Sequence, residues 1–372
     1  MLTSVPGGVA VQVYSLWQLA IVSILSLSVG ALVAAISSKT SFISIFEARK
    51  AEVQAIHVVT TPRLGSIGLL VAYGIAVLLI VPEPRPLLAL LPLVVVALAE
   101  DLGIRISPLG RLISVAVAAS LQLVLFGFWI DRVDVAFVDR ALGHWLIGGA
   151  LTVFAVTAIS HSFNLVDGLN GLAAICALAG SAGMALIAKS AGLDSDAFLA
   201  AIVFACIVGF LPLNFPRACL FLGDTGAYLL GFLLSCVGIT LIAGSPAVSP
   251  WAVLLCVFWP IADTVWAIVR RILKGASISS PDREHMHHLA FEVVGVVFSG
   301  SRIQKFANPL ATLFMVPFIV APPALGVLCW DNSFSALLCL GVLGVSYLLT
   351  YLAARRVLCR VDERIAIQRL AE

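Results

Sequence analysis

The chain has 372 residues, of which 61% are hydrophobic and only 11% are charged, and its mean hydropathy is +1.10. A soluble domain normally carries about 25% charged residues, so this composition excludes a disordered chain and a soluble enzyme. The net charge is +2 and the cations are scattered among apolar segments, so we expect no nucleic-acid partner. Repeated apolar runs of about 18 residues or more indicate an all-α integral membrane protein.

Apolar runs between turn and charge signals predict a bundle of about eleven transmembrane helices in one catalytic domain that covers residues 1–372. In chain order these helices lie near residues 14–36, 64–82, 86–99, 110–130, 144–163, 168–188, 197–213, 225–243, 251–269, 308–328 and 334–354. The predicted cytoplasmic connections lie near residues 37–63, 99–110, 164–168, 214–224 and 270–307.

Lysine and arginine are unevenly divided between the two sides of the predicted bundle. If the N-terminus lies outside, 18 of the 22 fall on the cytoplasmic side, together with the C-terminus. Because cytoplasmic loops carry an excess of these residues, the sequence predicts this orientation. Most polar residues whose side chains could take part in catalysis or binding also lie at the cytoplasmic helix ends. We therefore expect any active site at the cytoplasmic face of the membrane.

Segment 221–228 reads Phe-Leu-Gly-Asp-Thr-Gly-Ala-Tyr and places Asp224 at the start of the eighth predicted helix. The N–H groups at a helix start can bind an anion, and a carboxylate there can hold Mg²⁺ against a pyrophosphate. Aspartate is also a common N-cap residue, so the segment alone is compatible with a purely structural role.

Three polar residues follow the fifth predicted helix at intervals of three: Asn164, Asp167 and Asn170. This spacing places their side chains roughly on one side of a turn and of the helix after it. Asp-Gly and Asn-Gly are also ordinary turn formers. Because polar groups beside apolar spans are costly unless satisfied, the pattern favours a functional role.

Two further charged clusters are weaker signals by themselves. Glu100 and Asp101 are adjacent acids, which raise each other's pKa and suit proton transfer, although a solvated loop would also contain them. Segment 281–289 contains three histidines, and His-x-x-x-His spacing and neighbouring cysteines typical of zinc sites are missing from it. Imidazoles beside Arg283 suit phosphate oxygens instead, whereas a chance solvated cluster is the alternative. Arg63 lies at the start of the second predicted helix. It is either a residue of the site or a cation that sets the orientation of the helix in the membrane.

Five segments, in this order, resemble the polyprenyl-phosphate N-acetylhexosamine-1-phosphate transferases of glycosyltransferase family 4. They are Pro-Arg-x-Gly, the acidic pair followed by Ser-Pro, Asn-x-x-Asp-Gly-x-x-Gly-Leu, Gly-Asp-x-Gly and Asp-Arg-x-His-x-His-His, between about residues 57 and 290. The family includes the enzymes that initiate O-antigen, enterobacterial common antigen and wall teichoic acid. It also includes the phospho-N-acetylmuramoyl-pentapeptide transferase.

The resemblance implies transfer of an N-acetylhexosamine 1-phosphate, of GlcNAc type or a 6-deoxy amino sugar, from a UDP-sugar to undecaprenyl phosphate. UMP would be released, Mg²⁺ or Mn²⁺ would be the cofactor, and the product would start a lipid-linked surface glycan. It further implies a multi-pass protein of the bacterial inner membrane and leaves room for a homodimer. The alternatives are the muramoyl-pentapeptide activity, which is less favoured because the histidines here are not contiguous, and a membrane transporter. Transporters place their ionisable residues near the midplane of the membrane, whereas here they lie at one face.

By matching position, the resemblance implies a metal site at Asp224 with Asn164 beside it. It implies catalytic roles for Asp101, Glu100 and Asp167, with Asp101 close to the lipid phosphate. The substrate-binding residues would be Asn164, Asn170, Asn214, Arg63, Arg283, His285, His287 and His288. The chain departs from the commonest family pattern at Ser66, Glu100, His161, Asn170 and Ala227.

Overall fold

The computed structural model describes residues 16–39, 61–80, 85–275, 277, 284–300 and 302–371, and every regular element in these ranges is helical. The helices are α1 Leu16–Lys39, α2 Ser66–Ile80, α3 Arg85–Asp101, α4 Pro108–Phe126, α5 Ala136–Leu142, α6 Trp145–Val166, α7 Leu172–Ser190, α8 Asp194–Asn214, α9 Gly223–Gly244, α10 Pro250–Leu255, α11 Phe258–Leu273, α12 Met286–Val297, α13 Ala307–Leu328 and α14 Ser333–Ala371. A 3₁₀ turn at Arg302–Phe306 precedes α13.

Each predicted span overlaps an observed helix, so the all-helical class is confirmed. The ninth span differs, because it consists of two helices, α10 and α11, that are separated at Cys256 and Val257. Eight helices of the described chain are long and apolar enough to cross a membrane: α1, α4, α6, α7, α8, α9, α13 and α14. These helices support a multi-pass membrane protein, and the count of eleven spans and their orientation stay predictions.

Helix α9 lies at the centre of the bundle. It packs against α2, α3, α6, α7 and α8, and 83% of the residues in an apolar stretch of 18 residues within it are buried. A helix that is apolar on all sides is stable when other helices surround it, which is the case here. The N-terminal end of α9, where Asp224 lies, is therefore in the middle of one end of the bundle.

Small residues allow α1, α2 and α8 to cross at short distance. A Cβ atom on Gly68 would lie 2.7 Å from the backbone oxygen of Ser26, and one on Gly209 of α8 would lie closer still to the backbone oxygen of Ser23. The hydroxyl of Ser26 donates a hydrogen bond of 2.8 Å to the carbonyl of Cys206. Such contacts between small residues and hydroxyls are typical of helix packing in membranes. The close crossing fixes α2 beside α9 and so fixes the segment that carries Arg63.

Arg132 stabilises the opposite end of α9. Its guanidinium donates hydrogen bonds to the backbone carbonyls of Ile242, Ser245 and Val248, at 3.3, 2.9 and 2.7 Å. It also pairs with Asp134 at 2.6 Å. A cation is favourable at a helix C-terminus, where the last carbonyls have no partner within the helix.

Candidate active site

The chain brings residues from five separated segments to one end of the bundle. Arg63 precedes α2, Asp101 ends α3, Asn164 lies in the last turn of α6, Asp224 lies in the first turn of α9, and His285 precedes α12. Arg63, Asn164 and Asp101 each contact Asp224, so helix ends far apart in the sequence form one polar site.

The carboxylate of Asp101 caps the N-terminus of α9. One oxygen accepts a hydrogen bond from the backbone N–H of Asp224 and the other from that of Thr225, both at 2.9 Å. Asp101 is only 1% exposed. The first N–H groups of a helix have no partner within it, and a carboxylate there also interacts favourably with the helix dipole. Asp101 therefore has a positioning function, and the geometry leaves its predicted catalytic role untested.

Gly223 makes this cap possible. Its φ angle is +79°, and a Cβ atom would lie 2.8 and 2.9 Å from the two carboxylate oxygens of Asp101. A left-handed backbone and the absence of a side chain are both required at this position, and only glycine supplies both at low cost. The glycine of the Gly-Asp-x-Gly segment is therefore needed for the approach of Asp101 to α9.

Asp224 is the centre of a mixed charge cluster. Its Oδ1 atom lies 3.1 Å from Nη2 of Arg63 and 3.3 Å from Nδ2 of Asn164, and its Oδ2 atom lies 3.8 Å from Nη1 of Arg111. Arg111 also lies 3.4 Å from Glu100. Asp224 is 7% exposed, so these partners surround most of its carboxylate. Asn164 thus lies beside Asp224, as the resemblance implies, and Arg63 contacts the same carboxylate, while their roles in metal and substrate binding stay predictions.

The donor set around Asp224 fits a magnesium ion that is shared with a substrate. The described residues contain no cluster of three or more His, Cys, Asp or Glu side chains that would hold a metal alone. Mg²⁺, however, is commonly bound through one or two carboxylates together with phosphate oxygens and water. Asp224 and the amide of Asn164 supply oxygen ligands of this kind. Arg63 and Arg111 next to them are suited to phosphate oxygens.

Asp167 is the residue immediately after α6, beside this cluster. Desolvation by burial raises the pKa of Asp167 to about 7, against the opposing effect of the Arg63 guanidinium. A carboxyl group with a pKa near neutrality can accept and release a proton at physiological pH. The environment of Asp167 is thus suited to proton transfer, as its predicted catalytic role requires.

Asn170 and Asn214 support the turn that precedes α7. The side chain of Asn214 accepts a hydrogen bond from the Gly171 N–H at 2.6 Å and donates one to the Leu220 carbonyl at 2.9 Å. The Asn170 side-chain amide donates to the carbonyl of Pro216 at 2.9 Å. These bonds give both residues a structural role, and their predicted contact with substrate stays a prediction.

The three histidines lie together at the start of α12. His285 and His287 are buried, their rings are nearly parallel with centroids 5.6 Å apart, and the rings of His287 and His288 are 4.2 Å apart. The ring of His287 fills the space that a side chain at Gly168 would need, so it contacts the turn next to Asp167. The structure therefore joins the histidine segment to the site. Arg283, which was also predicted to bind substrate, lies outside the described residues.

Two site features were missed at the level of the sequence. Arg111 was not among the predicted site residues, although it lies between Glu100 and Asp224. The Nε2 atom of His161 is buried without a hydrogen-bond partner in the described part of the chain. For Arg111, the one indication of a site role in the sequence is its position after the acidic pair. For His161, it is the departure from the commonest family pattern.

Comparison with known proteins identifies the family of this chain. Residues 85–242 match the family described as glycosyl transferase family 4. A decaprenyl-phosphate N-acetylglucosaminephosphotransferase of Mycobacterium leprae is 31% identical in an alignment of 315 positions that covers 69% of this chain and 76% of that protein. A probable undecaprenyl-phosphate N-acetylglucosaminyl 1-phosphate transferase of Bacillus subtilis is 31% identical in an alignment of 221 positions that covers 55% of this chain and 62% of the relative.

A third relative, the undecaprenyl-phosphate alpha-N-acetylglucosaminyl 1-phosphate transferase of Escherichia coli, is 31% identical over 193 residues, or 48% of this chain and 52% of that protein. The apolar bundle and the charged site at one of its ends define a membrane-embedded transferase. The chain belongs to glycosyl transferase family 4, the polyprenyl-phosphate sugar-1-phosphate transferases.

We expect Asp101→Asn to lower the free energy of unfolding by about 2 kcal/mol, because an amide replaces one of two buried carboxylate acceptors with a second donor. Glu100→Gln is the matched control, since Glu100 is the adjacent acid and its carboxylate contacts Arg111 at 3.4 Å. Thermal unfolding of both purified variants in detergent measures the difference. Equal stability of the two variants would contradict the capping role.

Proposed function

We propose that the protein transfers N-acetylglucosamine 1-phosphate, or a closely related N-acetylhexosamine 1-phosphate, from a UDP-sugar to a polyprenyl phosphate. UMP is the second product, and the lipid-linked sugar initiates a cell-surface glycan. The names of the relatives specify N-acetylglucosamine and an undecaprenyl or decaprenyl phosphate, which supports the proposal. The observation that carries the proposal is the position of Asp224 at the N-terminal end of the central helix α9, where two arginines and the amide of Asn164 contact its carboxylate.

The reaction forms a bond from the lipid phosphate oxygen to the sugar-linked phosphorus and breaks the bond from that phosphorus to the UMP oxygen. Two anions must approach each other, so positive charge at the site lowers the barrier. Arg63 and Arg111 supply such charge and orient the phosphates. Asp224 and Asn164 would hold Mg²⁺, which when bound neutralises charge on the pyrophosphate. Asp101 keeps Asp224 in place, while Asp167 receives a proton if the lipid phosphate arrives protonated.

An apolar groove on the bundle surface provides a path for the lipid acceptor. It lies between α4 and α6, has a volume of about 660 Å³, and extends from Leu123 and Trp145 to Leu112 and His161. Its walls are apolar except for the side chains of Thr157 and His161. An apolar groove of this kind matches the hydrocarbon chain of a polyprenol. Its polar end, at His161, lies on the same side of the bundle as the site, so the phosphate would be delivered there.

The orientation in the membrane is part of the proposal. We place the site at the cytoplasmic face of a bacterial inner membrane, with the N-terminus outside, because 18 of the 22 lysines and arginines then lie inside. A nucleotide sugar would reach the site from the cytoplasm and the prenyl chain from the bilayer. An interface site is what a reaction between a water-soluble donor and a lipid acceptor requires.

We expect purified protein to release UMP from UDP-N-acetylglucosamine in the presence of undecaprenyl phosphate, and EDTA to stop this release. Asp224→Asn should lower the rate by about 100-fold or more, since it removes the charge that would hold the metal. A panel of UDP-sugars, with EDTA and Mg²⁺ add-back for each, identifies the donor. Absence of chelator-sensitive UMP release with every sugar would contradict the proposed function.

We expect Ala150→Phe, which places a large side chain in the groove, to raise the KM for polyprenyl phosphate about tenfold and to leave the KM for the UDP-sugar unchanged. Ala321→Phe is the control, because Ala321 is also exposed on a membrane-spanning helix but lies on α13, away from the groove. Steady-state kinetics with each substrate varied in turn measures both constants. A similar KM for polyprenyl phosphate in the two variants would show that the lipid acceptor does not bind in this groove.

A further inference from the structure

Asp263 is a buried acid of α11 that the proposed reaction does not use. It is 1% exposed, and three groups contact its carboxylate. Nδ1 of His285 lies 2.9 Å from one oxygen, while the other accepts hydrogen bonds from the N–H of Met286 at 2.9 Å and from the hydroxyl of Tyr347 at 2.6 Å. Burial of an isolated carboxylate is costly, so these contacts are needed to keep Asp263 inside the bundle.

The contacts of Asp263 determine how the histidine segment is presented. An ionised carboxylate only accepts hydrogen bonds, so the Nδ1 atom of His285 carries the proton. The tautomer and the ring orientation of His285 are thereby fixed. The bond to the Met286 N–H satisfies one of the free donors at the start of α12. One side chain thus orients both the imidazole and the helix that follows it.

Tyr347 links this arrangement to α14, which lies beyond the residues that match the family, 85–242. Helix α14 packs against both α11 and α12. The residue before His285 is held as well, because Glu284 accepts a hydrogen bond of 2.6 Å from Lys274 and pairs with Arg270 at 3.3 Å. The histidine segment is therefore attached to α11 on one side and to α14 on the other.

The same segment reaches the site on its other face. The ring of His287 contacts Gly168, the residue after Asp167, and its Nδ1 atom lies 3.8 Å from the carboxylate of Asp263. Any shift of the start of α12 would therefore move an imidazole that contacts the Asp167 turn. Asp263 and Tyr347 are remote from Asp224 in the sequence, but they are connected to the site through His285 and His287.

We propose that Asp263 and Tyr347 are positioning residues that hold His285 and the start of α12 against the Asp167 turn, so that the imidazoles bind the phosphates of the nucleotide sugar. This inference rests on the proposed function for the identity of the ligand. It assigns to α11 and α14 a role in donor binding, whereas the lipid acceptor uses the groove between α4 and α6.

Tyr347→Phe tests the inference, because it removes the hydroxyl that contacts Asp263 and keeps the ring. We expect the KM for UDP-N-acetylglucosamine to rise about tenfold, as for the loss of a hydrogen bond to a charged group, while the KM for polyprenyl phosphate stays at the wild-type value. Tyr351→Phe is the matched control. Tyr351 lies one turn further along α14 and contacts Trp266 and Arg270 through its ring, which phenylalanine retains.

Asp263→Asn provides a double-mutant cycle with Tyr347→Phe. If the tyrosine acts through Asp263, the double variant should be no more than about twofold worse than Asp263→Asn alone. Independent, multiplicative effects on the KM for the donor, or equal KM values for Tyr347→Phe and Tyr351→Phe, would overturn the inference. A lower melting temperature with unchanged KM values would also overturn it, since that result indicates a structural role only.

Isothermal titration with UDP-N-acetylglucosamine, without lipid acceptor, separates this inference from the proposed function. We expect Tyr347→Phe to weaken binding about tenfold relative to wild type and Tyr351→Phe. Equal binding by all three proteins would overturn the inference even if wild type releases UMP. Weaker binding by Tyr347→Phe alone would support it, and a wild type that binds the donor but never releases UMP would contradict only the proposed transfer reaction.

Discussion

The central helix α9 is held by opposite charges at its two ends, and the rest of the structure depends on this arrangement. The Asp101 carboxylate accepts hydrogen bonds from the first N–H groups, and the Arg132 guanidinium donates hydrogen bonds to carbonyls at and beyond the last turn. Water is scarce within an apolar bundle, so the backbone groups at the ends of the helix would otherwise have no hydrogen-bond partner. Each charged side chain supplies that partner. Each charge also has the sign that the helix dipole favours at its position.

The cap at Asp101 has a direct consequence for the chemistry. It fixes the backbone of Asp224, and the side chain of Asp224 then meets Arg63, Arg111 and Asn164, which are carried by three other helix ends. A site assembled in this way lies where apolar helices end, which is where a lipid phosphate and a soluble nucleotide can meet. The histidine segment follows the same principle, since Asp263 satisfies the start of α12 and so places His285 and His287 beside the Asp167 turn.

The sequence predicted well what depends on local composition. Apolar runs located the predicted spans to within a few residues, except at α14, which extends further, and at the break between α10 and α11. The short helices α5 and α12 were not predicted. Asp224, Asn164 and Arg63 were expected together on the basis of a family resemblance, and they are in contact. The cap by Asp101 was not foreseen, because its partners lie 123 residues away and contribute only backbone N–H groups, which are invisible in a sequence pattern. The structural bonds of Asn214 and the contact of Tyr347 with Asp263 are long-range or backbone interactions of the same kind.

The central claim is that Asp101 holds Asp224 as the carboxylate that binds the metal. The most direct measurement is Mn²⁺ binding to the purified protein with UDP-N-acetylglucosamine bound, followed by electron paramagnetic resonance, for wild type, Asp224→Asn and Asp101→Asn. The account predicts that Asp224→Asn loses Mn²⁺ binding while remaining folded, and that Asp101→Asn binds Mn²⁺ about tenfold more weakly because the ligand is no longer held in place. Wild-type affinity for Mn²⁺ in a folded Asp224→Asn variant would contradict it.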